Sequence, residues 1–241
     1  MILFPAIDIK DGACVRLIRG EMGQSTIFNY SPADQAKEFQ SIGLEWIHIV
    51  DLNGAFAGKP VNSDSVTKIL KSVDLPVQLG GGIRDMNTID YWLAAGVQRV
   101  ILGTAALKSP DLVLAACEKY PERIAVGIDV RDGYVAVEGW AEKSSISAFK
   151  LAQSLENCGV AAVIYTDIDR DGVMEGVNLD ATVALASAIN IPVIASGGVR
   201  GLIDLRALKD KEGEGIEGVI VGRAIYDGRL KPIEAQELLK N

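Results

Sequence analysis

The chain has 241 residues, 49% hydrophobic and 23% charged, a balance that allows a sizeable buried core and excludes a disordered chain. Its formal net charge of −8 argues against nucleic acid as a partner, because neutralising phosphates takes a basic surface. The three cysteines, Cys14, Cys117 and Cys158, are widely spaced with no CxxC pattern, so neither a disulfide framework nor a zinc site is expected.

The first element is an apolar strand, Ile2–Ile9, reached without a basic leader or cleavage signal. No apolar stretch is long enough to span a bilayer, and a cytoplasmic protein is expected. Helical spacing follows over Pro32–Ile42, with Ser31 and Pro32 as N-cap and first helical residue. Strand Trp46–Val50, helix Asp64–Ser72, strand Val77–Leu79 and helix Asn87–Ala95 come next, then strand Val100–Leu102 and a helix over Asp111–Lys119 opened by Ser109-Pro110. The same alternation continues through strand Ile124–Ile128, helix Ser147–Asn157, strand Ala162–Tyr165, helix Leu179–Ala188, strand Val193–Ala195, helix Ile203–Lys209, strand Val219–Val221 and helix Pro232–Leu239. Gly43, Gly96 and Gly159 sit where C-terminal helix caps belong. The strands are continuously apolar, as parallel strands covered on both faces are.

Several blocks recur in the same order at a spacing of roughly 120 residues, the mark of a repeated supersecondary unit. FPAIDIKDG returns as AVGIDVRDG, PVQLGGGIR as PVIASGGVR, and VILGTA as VIVGRA, with a weaker echo of IHIVDLNG in VIYTDIDRDG. Eight βα units with a half-length repeat predict an α/β fold, a single (β/α)8 TIM barrel spanning 1–241 and built from two homologous half-barrels, approximately 1–120 and 121–241. In such a barrel the loops after the strand C-termini make the active site, and every repeated block lies there.

Gly80, Gly81 and Gly82 follow the third strand, and Gly197 and Gly198 the seventh. Gly103-Thr104 after the fourth strand and Gly222-Arg223 after the eighth complete each pair, predicting two phosphate cradles on opposite sides of one mouth, with helix N-termini adding to each. The natural ligand is a small molecule with two separated phosphates. Asp8 and Asp129 end the first and fifth strands, which stand opposite each other in an eight-stranded barrel. Two carboxylates facing a substrate can divide the work of base and acid if their surroundings separate their pKa values. Asp11-Gly12 and Asp132-Gly133 read as hairpin turns.

Thr166 and Asp171 follow the sixth strand on the same rim, Thr166 placed to orient a substrate heteroatom and Asp171, beside Gly172, to act as a further acid or an orienting group. His48, the only histidine, is either a satisfied strand residue or a ligand contact. Trp140 lies beyond the fifth strand, where an indole covers either a ring-bearing ligand or the barrel rim. With one histidine, no clustered cysteines, no GxSxG elbow and no GxGxxG fingerprint, acid–base catalysis with no metal and no cofactor is expected. A monomer is expected too, since no helix face is left apolar and uncovered.

FPAIDIKDGACVRLIRGEM, HIVDLNGAFAGKPVN, QLGGGIRD, GIDVRDGYVAVEGW, YTDIDRDGVMEGVN, ASGGVR and VIVGRAIYDG together resemble the phosphoribosylformimino aminoimidazole carboxamide ribotide isomerases of histidine biosynthesis, over essentially the whole chain. That resemblance implies an Amadori rearrangement of an N-linked aminoaldose phosphate to an aminoketose. It implies Asp8 as base and Asp129 as proton donor, with Asp171 a rival for the acid and Thr166 assisting. It further implies that Arg19 and His48 contact substrate, that Trp140 stacks on its imidazole, and that Gly81, Gly82, Gly103, Thr104, Gly198, Gly222 and Arg223 hold the phosphates. The sister cyclase shares the barrel and the repeat, but its first strand is expected to lead into VVKG where this chain has VRLIRG. A bifunctional isomerase that also takes phosphoribosylanthranilate is expected to carry an arginine near the fifth-loop tryptophan, where this chain has Glu138. A silent phosphate-sugar sensor and a flavin barrel are the remaining alternatives.

Overall fold

A computed structural model describes residues 1–241. Eight parallel strands form a closed ring: β1 (Ile2–Lys10), β2 (Ile47–Asp51), β3 (Val77–Gly80), β4 (Arg99–Leu102), β5 (Ile124–Arg131), β6 (Ala162–Asp167), β7 (Val193–Ser196) and β8 (Ile216–Val221). Each pairs with the next, and β8 returns to β1 with Phe4 opposite Ile220, so no barrel edge is left open. The helices pack outside this ring, as expected of an α/β barrel.

The core has two layers, set by the two-residue period of a strand. One set of side chains, including Ile7, Ile9, Ile47, Ile49, Val126 and Ile128, points outward against the helices. The other fills the barrel with Phe4, Ala6, Ile101, Ala125, Ala162, Ile164, Ile194 and Ile220. Continued in steps of two, these inward columns arrive at Asp8, Gly103, Asp129 (by way of Gly127), Thr166, Ser196 and Gly222, all of which line the mouth. The same alternation that packs the interior therefore delivers the polar groups to its open end.

Asp11 and Gly12 adopt left-handed φ of 51° and 82°, and Asp132 and Gly133 adopt 50° and 79°. Each pair is a two-residue hairpin turn in which both positions need positive φ. The anticipated loops after the first and fifth strands are accordingly hairpins. β1 turns back into Ala13–Arg16, which pairs with Thr26–Asn29, and β5 turns back into Tyr134–Val137, which pairs with Glu142–Ser147. Ser31 caps its helix by accepting from the Asp34 N–H at 3.3 Å, and Gly43 and Gly96 take positive φ directly after their helix C-caps, whereas Gly159, expected as a cap, takes positive φ in the turns beyond a helix that ends at Ser154. Ser109 makes no such side-chain bond, because it also ends the short helix Thr104–Lys108. No helix is long and apolar enough to cross a membrane.

Candidate active site

Asp8 and Asp129 end the inward columns of β1 and β5, which stand diametrically opposite in the ring. Between them, at right angles, open the two glycine-rich rims after β3 and β4 and after β7 and β8. Gly81 has φ +103° and Gly197 φ +88°; a Cβ on Gly81 would overlap the Asp51 carbonyl, and one on Gly197 would lie 2.7 Å from the Asp167 carbonyl. Gly82 and Gly198 are as tight, with a Cβ meeting the Lys59 backbone at 2.6 Å and the Gly176 carbonyl at 2.6 Å. Only glycine fits these four positions, and the backbone that results is open to an anion from the mouth.

The helix termini contribute less than the sequence predicts. The helix after β3, Met86–Ala94, is capped by its own Asp85, which accepts from the Thr88 N–H at 2.8 Å. After β7, Asp204 accepts from the Arg200 N–H at 2.8 Å. The uncapped N–H groups belong instead to the short helices Thr104–Lys108 and Arg223–Tyr226, whose N-caps are Gly103 and Gly222 and carry no side-chain bond. Arg223 lines the second rim, held by Asp227 at 3.3 Å and by the Gly172 carbonyl at 3.3 Å.

Arg16, which no motif singles out, is a central residue of the mouth. Its buried guanidinium donates to Asp8 at 2.6 Å and to the Ala6 carbonyl, and stacks over the Tyr226 ring at 4.6 Å. It reaches the second rim as well, since a Cβ on Gly222 would lie 3.0 Å from it. The sequence signal is an arginine closing an otherwise apolar strand, ACVR, a cost that burial imposes only where a partner waits. Arg19, expected on the substrate, sits at φ +51° beyond the end of the hairpin strand; its Nε donates to the Asp169 carbonyl at 3.3 Å, and it is not among the residues that line the mouth.

The remaining anticipated residues converge on the cavity. Thr166 pairs in register with Asp129 across β6 and β5. Burial raises the Asp129 carboxyl above the ordinary value, opposed by hydrogen bonds from the Trp140 and Thr166 side chains. Asp171 is pushed up to about 7, first by burial and then by the charge of Asp8, with Arg16 pulling the other way. A carboxyl that high is half-protonated near neutral pH, the condition an acid catalyst needs. The loop bearing it docks on the hairpin after β1: the Arg19 N–H donates to the Asp171 carbonyl at 3.0 Å, and a Cβ on Gly172 would strike the Leu17 carbonyl.

His48 is both satisfied and exposed to the cavity. The Gln78 amide lies 3.0 Å from Nδ1, leaving Nε2 for the mouth. Burial, helped by Arg16, pushes its pKa down to about 3, so the ring is neutral. Trp140 packs its ring on Gly20 of the first hairpin and lines the mouth. Thr104 lines it too, while its hydroxyl accepts from the Glu138 N–H at 2.9 Å. No group of three or more His, Cys, Asp or Glu side chains is placed to hold a metal ion. The arrangement offers glycine-walled rims at two ends, Asp8 paired to a fixed cation on one side with the raised Asp171 beside it, and the raised Asp129 on the other.

A family model described as "Histidine biosynthesis protein" matches residues 2–231. The chain is 64% identical over 240 residues to a protein of Paramagnetospirillum magneticum, covering 100% of both chains. It is 63% identical over 239 residues to one of Rhodospirillum rubrum, covering 99% of each, and 61% identical over 241 residues to one of Azospirillum brasilense, covering 100% of this chain and 95% of that one. All three carry the name 1-(5-phosphoribosyl)-5-((5-phosphoribosylamino)methylideneamino) imidazole-4-carboxamide isomerase.

Proposed function

The chain belongs to the histidine biosynthesis protein family, and from that premise we propose that it is the isomerase its relatives are named for, converting the aminoaldose of phosphoribosylformimino aminoimidazole carboxamide ribotide into the aminoketose. The observation that carries the chemistry is the placement of Asp8 and Asp129 on opposite sides of one mouth whose other two sides are glycine-walled anion seats. A bis-phosphate held at both ends lies with its reacting ribose between the carboxylates.

The Amadori rearrangement needs a proton delivered to the ribose ring oxygen, which opens the ring to a Schiff base, and a base that then removes the C2 proton to give an enolamine; tautomerisation yields the ketone. Asp8, oriented by Arg16, is the base. Asp129 and Asp171 are both raised and both face the cavity, so the acid comes from that pair, with Thr166 orienting the group that receives the proton. His48 presents Nε2 to the substrate as a neutral donor, and Trp140 offers a flat surface for the imidazole. Gly81, Gly82, Gly103 and Thr104 hold one phosphate, and Gly197, Gly198, Gly222 and Arg223 the other, with Arg16 at hand for charge. Each acid–base residue is worth roughly 100- to 10,000-fold in rate.

Two homologous half-barrels fused into one domain account for the site's internal symmetry. The turn pairs after β1 and β5 agree in φ within a few degrees, Asn62 donates to Asp51 at 2.7 Å as Asn178 does to Asp167 at 2.7 Å, and Gly103 (φ −97°, ψ −96°) matches Gly222 (φ −107°, ψ −101°). All three cysteines are free thiols, which suits the cytoplasm.

The test is turnover by purified protein, without added cofactor or metal, on the formimino ribotide and separately on phosphoribosylanthranilate. Conversion of the first alone is expected. Conversion of neither overturns the reading, and conversion of both makes the enzyme bifunctional.

A further inference from the structure

Glu138, Gly139 and Trp140 form a run of three consecutive left-handed residues at the tip of the hairpin beyond β5, in the turn that joins Tyr134–Val137 to Glu142–Ser147, with φ of 56°, 65° and 71°. Side chains rarely tolerate that region, so a segment with two non-glycine residues in it keeps its shape only where its surroundings hold it. The contacts are on one side of the barrel. The Glu138 carboxylate reaches Arg84 at 2.5 Å and Lys108 at 2.5 Å, and its backbone N–H donates to the Thr104 hydroxyl at 2.9 Å. Arg84 follows Gly81 and Gly82, while Thr104 and Lys108 open and close the short helix after Gly103. All three partners are therefore parts of the first anion seat or of its immediate support.

We infer that Glu138 is a positioning residue, which docks the fifth-strand hairpin onto the first anion seat and thereby holds the Trp140 indole over Asp129. Neither the paired carboxylates nor the glycine walls assign Glu138 a role, and its side chain does not line the cavity. The carboxylate sits between two cations, one at either edge of the seat, so a single charge fixes both the height and the rotation of the tip. Gly139 supports this pose from behind, where a Cβ would press on the Phe56 ring at 3.0 Å. Glu138 and Arg84 are only partly exposed, with side chains 22% and 29% accessible, which limits screening of the pair by salt.

The kinetic side of this inference rests on the isomerase reading; the optical side does not. The test compares wild type with E138Q, which keeps size and backbone and removes the charge, and with K108M, which weakens the cluster from a residue outside the mouth. Trp140 emission is isolated by subtracting a W140F background, since Trp46 and Trp92 lie elsewhere in the fold. Acrylamide quenching of that emission is expected to rise in E138Q and, less, in K108M, and about 0.5 M sodium chloride is expected to raise it in wild type but not in E138Q. On the formimino ribotide, kcat should fall roughly ten- to a hundred-fold in E138Q with a smaller change in KM, because a misplaced tip costs orientation more than binding. Circular dichroism establishes that both variants are folded. Quenching and salt response in E138Q equal to wild type would overturn the proposal; a wild type without turnover would instead remove the isomerase reading and leave the quenching result to decide this one.

Discussion

Arg16 and Asp8 form an ion pair at 2.6 Å that joins the end of a barrel strand to the hairpin strand folded back from it. The pair fixes the carboxylate's direction and places one buried cation between the proposed base and the second anion seat. It also sets the terms on which Asp8 can be changed.

Asp8→Asn is expected to lower kcat roughly 100- to 10,000-fold while substrate affinity, read by calorimetric titration, changes little. The variant should also be less stable by about 1–3 kcal/mol in urea unfolding, because the Arg16 guanidinium loses its charged partner. Wild-type kcat in this variant would remove Asp8 from the chemistry.

Asp171, raised to about 7, gives a pH signature in stability as well as in rate. Its folded pKa lies above the unfolded value of about 3.9, so the folded chain holds the proton more tightly. That stabilisation is complete below the unfolded value and is lost as pH rises through about 7. The Tm of Asp171→Asn relative to wild type should therefore improve between about pH 5 and about pH 8, and a constant difference would contradict it. If Asp171 is the acid, kcat of the wild type declines above neutrality and the variant lacks that limb.

His48, with its pKa pushed down to about 3, should not titrate in the physiological range. As the only histidine, it gives a single imidazole Cε1–H signal by NMR. That signal should stay at its neutral position from about pH 5 to about pH 8; a midpoint near the ordinary 6.5 would show that the ring is not sequestered as described.

Gly81→Ala and Gly103→Ala separate architecture from composition. At Gly81 a Cβ would overlap the Asp51 carbonyl at φ +103°, whereas at Gly103 nothing lies within 4 Å and φ is −97°. The first substitution should lower Tm by about 5 °C or more and the second by no more than about 2 °C. Equal losses would mean that the tight wall around Gly81 yields easily.

Arg223→Ala is expected to raise KM more than it lowers kcat, as loss of binding shared by substrate and transition state does. An unchanged KM would put Arg223 outside the phosphate seat.

The eight barrel strands are legible because each is an apolar run bounded by turn residues, and the short helices Leu52–Ala57 and Arg223–Tyr226 are not, because four to six residues span less than two helical turns and so show no repeating period. The hairpin strands Thr26–Asn29 and Glu142–Ser147 are illegible for a related reason: they are short and partly exposed, so no sustained apolar alternation marks them. The difference between Arg16 and Arg19 lay beyond the sequence too. Both stand in VRLIRG, and only the end of the hairpin strand at Arg16 turns one guanidinium inward and leaves the other in a turn.

By itself the sequence determined the alternation of strands and helices, the repeat, the glycine positions and the carboxylates at strand ends, because periodicity, turn chemistry and backbone permissiveness are local properties of the chain. Tertiary structure alone decided that Arg16 meets Asp8, that Asp171 is raised by burial beside Asp8, and that Glu138 meets Arg84 and Lys108. The first relation depends on how the hairpin strand folds back on β1, and the other two join residues from different βα units; desolvation and charge pairing take their values only when folding brings such residues within reach.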